Sequence, residues 1–334
     1  MYKIRFCEKD KIRELQLFIR SHWKKEHIFA KDKKLLKWQH WDNKKKRLNF
    51  IAAFDSKTGD IVAILGIIPT SHYDIKLKDE KDFWMAIWKV RDENIKQGLG
   101  VKLLAYLEKE YRPNSLAAIG ISGIAKKIYT ILGFKTGKLA HYYFLNPHMV
   151  NYKIAKASCP TTGKFTKSLF SLSIINDLSK KEKFAGNMRP KKTIEYLMNR
   201  YARHPVYAYD FYGIFLSGKL TAIFVIREIT VNKARCLRIV DIAGDINKVT
   251  SIETEMERLL VQRKAEFIDC LNYGIPESFF HNMGFLTRTD NIIIPNYFEP
   301  FERRNVDIDF AYKTKRENYI IFKGDSDQDR PSIV

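Results

Sequence analysis

The chain lacks several features that would assign it to large protein classes. Its four cysteines, Cys7, Cys159, Cys236 and Cys270, lie far apart and show no metal-ligand spacing. We therefore expect a reduced, cytoplasmic protein with no metal. No apolar run is long enough to cross a bilayer, and Met1-Tyr2-Lys3-Ile4-Arg5 leads straight into polar sequence, so neither a membrane partner nor a signal peptide is expected. There is no zinc knuckle and no aromatic-bearing RNA-binding strand signature, and no nucleic-acid partner is expected. Acidic residues are few, 38 against 59 lysines and arginines, which leaves a net charge of +21. The lysines are scattered and not gathered in one tail. A solvated lysine-rich surface accounts for part of this excess, and the rest suits anionic ligands such as phosphorylated small molecules.

What is present is organised around residues 83–134. Phe83-Trp84-Met85-Ala86-Ile87-Trp88-Lys89-Val90 is an apolar run and is expected to be a buried strand. Lys96-Gln97-Gly98-Leu99-Gly100-Val101 then enters a segment, 102–111, with apolar residues at helical spacing. Strand, glycine loop and helix N-terminus in that order form an anion site. Glycines allow a tight turn and close approach, and first-turn N–H groups have no partner inside the helix. The stretch is expected to be a pyrophosphate cradle.

Around it, strands are expected at 2–7, 48–54, 61–69, 115–121 and 139–145. Helices are expected from Asp10 to Trp23, from Asp32 to Trp41 and over 123–132. Residues 147–192 are a connector with Pro147, Pro160, Gly163 and Pro190. A similar order follows: a helix at 193–203, strands at 207–216, 220–229 and 236–242, a helix at 251–263, a strand at 266–271, a short helix at 276–283 and a closing strand at 291–294. This is an α/β (α+β) mixed-sheet chain, and its two halves look like a tandem duplication.

One motif sharpens the reading. Ser122-Gly123-Ile124-Ala125-Lys126-Lys127-Ile128-Tyr129-Thr130-Ile131-Leu132-Gly133-Phe134 resembles the second acyl-CoA motif of the GNAT N-acyltransferase superfamily. Ala125, Tyr129, Gly133 and Phe134 match in register; Ser122 stands where asparagine is usual and Ile131 where lysine is usual. Gly98 and Gly100 match the first motif, while its leading basic or amide residue falls on Ile95. In the second half, Pro276 to Phe285 echoes the same helix with Phe280 at the tyrosine position, and Ala243-Gly244-Asp245-Ile246-Asn247 lacks paired glycines.

The resemblance implies two tandem GNAT-like domains: residues 1–146 with the acyl-CoA site, the connector 147–192, and a degenerate copy over 193–334 that serves the acceptor. It is similar to tandem enzymes of bacterial polysaccharide pathways that acylate dTDP-3-amino-3,6-dideoxyhexoses. It thus implies a nucleotide sugar as partner and coenzyme A or acyl-CoA as co-substrate. Splayed strands at 86–90 and 117–121 would hold the pantetheine arm. Trp88, Val90, Gln97, Gly98, Leu99, Gly100, Val101 and Ser122 would bind the coenzyme.

Acyl transfer to an amine needs an unprotonated nucleophile, a polarised carbonyl and a proton for the thiolate. Tyr129 is the candidate acid, and Glu93 or His141 the candidate base, with Asp92 beside Glu93. Trp84, Tyr143, His204, Tyr207 and Asp210 are candidate acceptor contacts. Trp84 and Tyr143 also fit a core, and His204, Tyr207 and Asp210 also fit a structural helix end and hairpin. The acidic end, Asp325 to Arg330, fits a solvated tail by composition and an ordered tail by resemblance. Two other readings stand beside the first: an acyltransferase for a peptide or aminoacyl-tRNA, and a non-catalytic acyl-CoA-binding protein.

Overall fold

The computed structural model describes residues 1–158, 168–180 and 186–331; Cys159, Pro160 and Gly163 lie outside them. Strands β1 (Tyr2–Glu8), β2 (Arg47–Asp55), β3 (Ile61–Pro69) and β4 (Asp82–Val90) form an antiparallel meander. Helices α1 (Ile12–Phe18) and α2 (Lys33–His40) interrupt it between β1 and β2. Ile12, Leu15, Phe18 and Ile19 recur at helical spacing and are all buried against one face of the sheet. Asp32 caps α2 through Leu35 N. Asp10 caps nothing, because a 3-10 turn at Lys9–Lys11 precedes α1.

After β4 come α3 (Leu99–Tyr111), β5 (Ser115–Ile119), α4 (Gly123–Ile131), β6 (Lys135–Lys138) and β7 (Ala140–Leu145). The second half contains β8 (Phe170–Ile174), β9 (Asp210–Leu216), β10 (Lys219–Val231), β11 (Ala234–Gly244), α5 (Glu253–Arg263), β12 (Phe267–Tyr273) and α6 (Glu277–Asn282). Of the later strands, three join the two large sheets: β13 (Leu286–Thr287), β14 (Asp309–Thr314) and β15 (Ile321–Phe322).

The two mixed sheets have the same plan. The first runs β1-β2-β3-β4-β5-β14-β6, and the second β8-β9-β10-β11-β12-β7-β13. Each has a single parallel contact at the same place, β4 with β5 and β11 with β12. The two halves exchange a strand: β7 lies in the second sheet and β14 in the first. One residue, Leu139, separates β6 from β7, too few for even a two-residue hairpin, so the chain crosses to the other sheet. Residues 1–146 therefore end on a strand of the second sheet. The segment 291–294, expected as the closing strand, makes only an isolated bridge from Ile293 to Lys156, and β14 closes the first sheet instead. Its partners, β5 and β6, are 171 to 199 residues upstream (Asp309 with Lys138, Thr314 with Ser115), beyond the reach of any local pattern.

A joint core binds the sheets together, with Ile68, Trp84 and Ala117 of the first against Ile223, Val225, Val240 and Leu271 of the second. Among the described residues no helix is long and apolar enough to cross a membrane.

Candidate active site

The pairing of β4 with β5 runs from Asp82–Ser115 to Met85–Ala118 and stops there, although β4 continues to Val90. The strands part at a bulge. Leu65 faces Trp88 but Ile67 faces Met85, so β4 spends three steps where β3 spends two. An extra residue raises the local twist and changes which face the following side chains occupy. Met85 and Trp88 thus both join the core beneath α3 and α4, which strict alternation along a strand forbids for residues three apart.

Tyr129 projects from α4 into this core. It is buried, its ring centroid is 5.0 Å from that of Trp88, and its hydroxyl donates to Met85 Sδ at 3.7 Å. Burial pushes the phenol well above its usual range, so it holds its proton throughout neutral pH.

The glycine loop lies at the far end of β4. Gly98 is at φ +65°, a left-handed conformation that favours glycine, and a Cβ there would meet nothing within 4 Å. Gly100 O accepts from Trp88 Nε1 at 3.2 Å, and a Cβ on Gly100 would stand 3.1 Å from that nitrogen. The first-turn N–H groups of α3 follow directly. Gln97 and Gly98 are exposed, and Val90, Gly100 and Trp88 are half-buried. Leu99 is buried and Val101 is 41% exposed. Ser122 caps α4 by accepting from Ala125 N at 3.2 Å.

A cavity of about 470 Å³ opens where β4 and β5 part. Ala86, Ile87, Trp88, Ala118 to Ser122, Ala125 and Tyr129 line it from the first sheet, and Tyr207, Arg227, Arg238 and Lys323 from the second. The C-terminal segment, Asp327 to Arg330, forms part of the remaining wall beside residues 296–299 and 306–309. This tail is ordered. Ser326 Oγ donates to Met85 O at 3.0 Å, Arg200 Nη2 donates to Gly324 O and Ser326 O, and Tyr209 donates to Asp329 Oδ2 at 2.6 Å. Lys192 lies between Asp241 and Asp325, at 2.5 and 2.9 Å. A Cβ on Gly120 would fall inside the Gln328 side-chain amide. The composition that reads as solvated is therefore buried, because cations from distant segments neutralise it.

The same tail fills the matching cleft of the second sheet. β11 and β12 pair only from Leu237–Ile268 to Ile239–Cys270. Beyond that, β15 pairs with Tyr273 and Asn272, Lys323 N donates to Leu271 O at 3.0 Å, and Gly324 N donates to Val240 O at 2.8 Å. Phe280, at the position matching Tyr129, stacks on Tyr142 with centroids 4.1 Å apart.

Other candidate residues fall elsewhere. Glu93 is on the exposed turn Asp92–Gln97, and Asp92 bonds Lys89. His141 is buried in the second sheet with Nε2 2.8 Å from Asp269, which Arg238 also holds. Burial lowers its pKa, and it does not line the cavity. Trp84 and Tyr143 are both 1% exposed and belong to apolar cores. Neither lines the cavity. His204 is buried against Trp38 and stacked on Tyr207. Asp210 pairs with Arg263 at 2.6 Å and lines a neighbouring cleft of about 510 Å³. Of the five expected acceptor contacts only Tyr207 reaches the cavity, its hydroxyl donating to Glu299 at 2.5 Å. Arg227 and Lys323 had no local sequence signal for a site, since isolated charges carry none, whereas Asp327 and Gln328 lie in the tail that the resemblance made an ordered one near the acceptor.

No protein-family model matches the chain, and no curated protein matches it. Two solved structures are similar over most of its length. A GCN5-related N-acetyltransferase from Anabaena variabilis ATCC 29413 has 9% identity and a TM-score of 0.57, covering 94% of this chain and 72% of its own. A conserved protein from Enterococcus faecalis V583, described as a probable N-acyltransferase, has 8% identity and a TM-score of 0.51, covering 94% of this chain and 73% of its own. The chain thus has the GCN5-related N-acetyltransferase fold, present twice.

Proposed function

We propose that the chain is an acyl-CoA-dependent N-acyltransferase with one coenzyme site, acting on the amino group of a small molecule. The observation that carries this reading is the parting of β4 from β5 at Met85–Ala118, with the Tyr129 hydroxyl beside Met85. The freed edge of β4 offers backbone groups to an extended amide-bearing arm. The Gly98 turn and the N-terminus of α3 offer N–H groups to a pyrophosphate. The residues present therefore fit acyl-CoA, which supplies the thioester carbonyl that the amine attacks.

The chain's own groups then have defined tasks. A backbone N–H of β4 near Trp88 to Val90 meets the oxyanion. The C–N bond forms and the C–S bond breaks. Tyr129, which burial keeps protonated, gives its proton to the departing thiolate and recovers one from the nitrogen, which sheds its second proton as the amide forms. Asp327, on the tail beside Ser326, takes the proton from the attacking ammonium. Neither Glu93 nor His141 is used. The acceptor reading is a nucleotide-linked amino sugar, such as a dTDP-amino-dideoxyhexose, since the cavity is lined by aromatic and basic groups (Tyr207, Arg227, Lys323) that suit a sugar bearing phosphates.

Calorimetry with coenzyme A, followed by thiol release from acetyl-CoA over a panel of amines, tests this. The panel should include dTDP- and UDP-linked amino sugars and a peptide amine. No binding of coenzyme A sinks the reading, and turnover confined to the peptide sinks the acceptor assignment.

A further inference from the structure

The charges facing the cavity are mostly paired; the exposed Lys24 is one exception and a buried lysine is another. Asp307 pairs with Lys138 and Arg288, Asp309 with Lys126, Asp327 with Arg330 and Asp329 with Arg227. Tyr207 donates to Glu299. Arg238 is spent on Asp269 and on two main-chain carbonyls, those of Pro295 and Asn296. Lys323 is different. It is 8% exposed, and its Nζ reaches only a carbonyl, Asn296 O at 3.1 Å. Among the described residues no carboxylate lies within ion-pair distance of it. Arg227 is also incompletely used: its Nε is buried without a hydrogen-bond partner, and its Nη1 is a long 3.5 Å from Asp329.

Resting on the acyltransferase reading above, we propose that the acceptor carries an anionic group, a carboxylate or a phosphate, and that Lys323 Nζ and the Arg227 guanidinium receive it on the second-sheet side of the cavity. An unpaired buried cation is costly, and a substrate anion offsets that cost only when bound. The same arrangement rejects neutral amines, whose binding would leave Lys323 without a counter-charge.

A protonation signature follows. Burial, then the like charges of Arg238 and Arg227, push the Lys323 ammonium down to about 7, with Asp329 and Asp269 opposing. An anion stabilises the charged form, so binding at pH 7.5 draws a proton from solvent. Affinity falls as pH rises above 7, because the free lysine then becomes neutral.

The test is calorimetry on the full chain with coenzyme A saturating, so that the pyrophosphate cradle is filled. Acetate and sulfate are the probes, neither of which titrates near neutrality; acetate represents a carboxylate and sulfate a phosphate. Wild-type protein is expected to bind one of them, and which one separates the two sources. The binding enthalpy at pH 7.5 should vary with the ionisation enthalpy of the buffer, reporting proton uptake. Lys323→Met should weaken the anion at least tenfold and leave coenzyme A affinity unchanged. Binding of neither anion, or an unchanged affinity in Lys323→Met, overturns the proposal. If Lys323→Met also loses coenzyme A, the wild-type proton uptake decides: uptake supports the proposal and none overturns it. Failure of coenzyme A to bind wild-type protein is a separate result and strikes the acyltransferase reading.

Discussion

Ser326 donates its hydroxyl to the main-chain oxygen of Met85, 241 residues upstream, at the last pair before β4 and β5 diverge. The same carbonyl-bearing residue offers its sulfur to Tyr129. The C-terminal tail and the glycine-loop half of the chain therefore meet at one residue, and one strand of tail serves both sheets.

Gly324 should be intolerant of any side chain. A Cβ there would stand 2.4 Å from Val240 O and 2.7 Å from Tyr201 Oη. Gly324→Ala is expected to lose roughly 1–3 kcal/mol of stability, the usual cost of overpacking. Urea unfolding checks this, and an unchanged midpoint would show that the tail is not held in the second cleft.

Coenzyme A should bind once per chain. The second cleft already holds β15 and the main chain of Lys323 and Gly324. A calorimetric stoichiometry of two would mean that the tail yields its place to ligand.

Tyr129→Phe should lower kcat by about 10²-fold, the scale of one general acid, with coenzyme A affinity retained. The ring stays, so its packing on Trp88 and Phe134 stays. Equal turnover in the variant would remove the phenol from the mechanism. Gly98→Val should act on the other variable. It forces a β-branched residue to φ +65°, a strain of roughly 1–3 kcal/mol, and the loop should relax away from its cradle. Coenzyme A affinity should fall, with kcat at saturation less affected.

Stability should decline in mild acid. Burial pushes His27, His40 and His204 each down to about 3. Their ordinary value is about 6.5, so between those limits the unfolded chain binds more protons than the folded one. The stability they confer is complete above 6.5 and is lost as pH falls towards 3. The melting temperature should fall across that window, and His40→Phe should flatten the slope. A melting temperature independent of pH from 7 to 4 would contradict these burial-driven shifts.

The elements that frame the proposed coenzyme side were legible in the sequence because they are local. Gly98, Gly100, Ser122 and Tyr129 sit in one stretch where strand, loop and helix follow in order, and the roles proposed for them depend on spacing along one segment. The strand Asp82–Val90 and the helices Leu99–Tyr111 and Gly123–Ile131 came from the same local periodicity. Phe280 and the missing glycines near Gly244 likewise pointed to a copy without a coenzyme site.

The tertiary structure decided the rest, because it turns on pairs distant in sequence. No local pattern tells β7 to leave its own half, or β14 to enter between β5 and β6. The bulge that brings Met85 and Trp88 to one face is a mismatch between two strands, invisible in either alone. The tail looked equally fit for solvent or for the site until Lys192, Arg200 and Arg227 were brought to it. Lys323 acquires meaning only by what does not reach it. Local order follows from the torsions and spacing of neighbouring residues, whereas a buried charge is defined by the three-dimensional census of its partners.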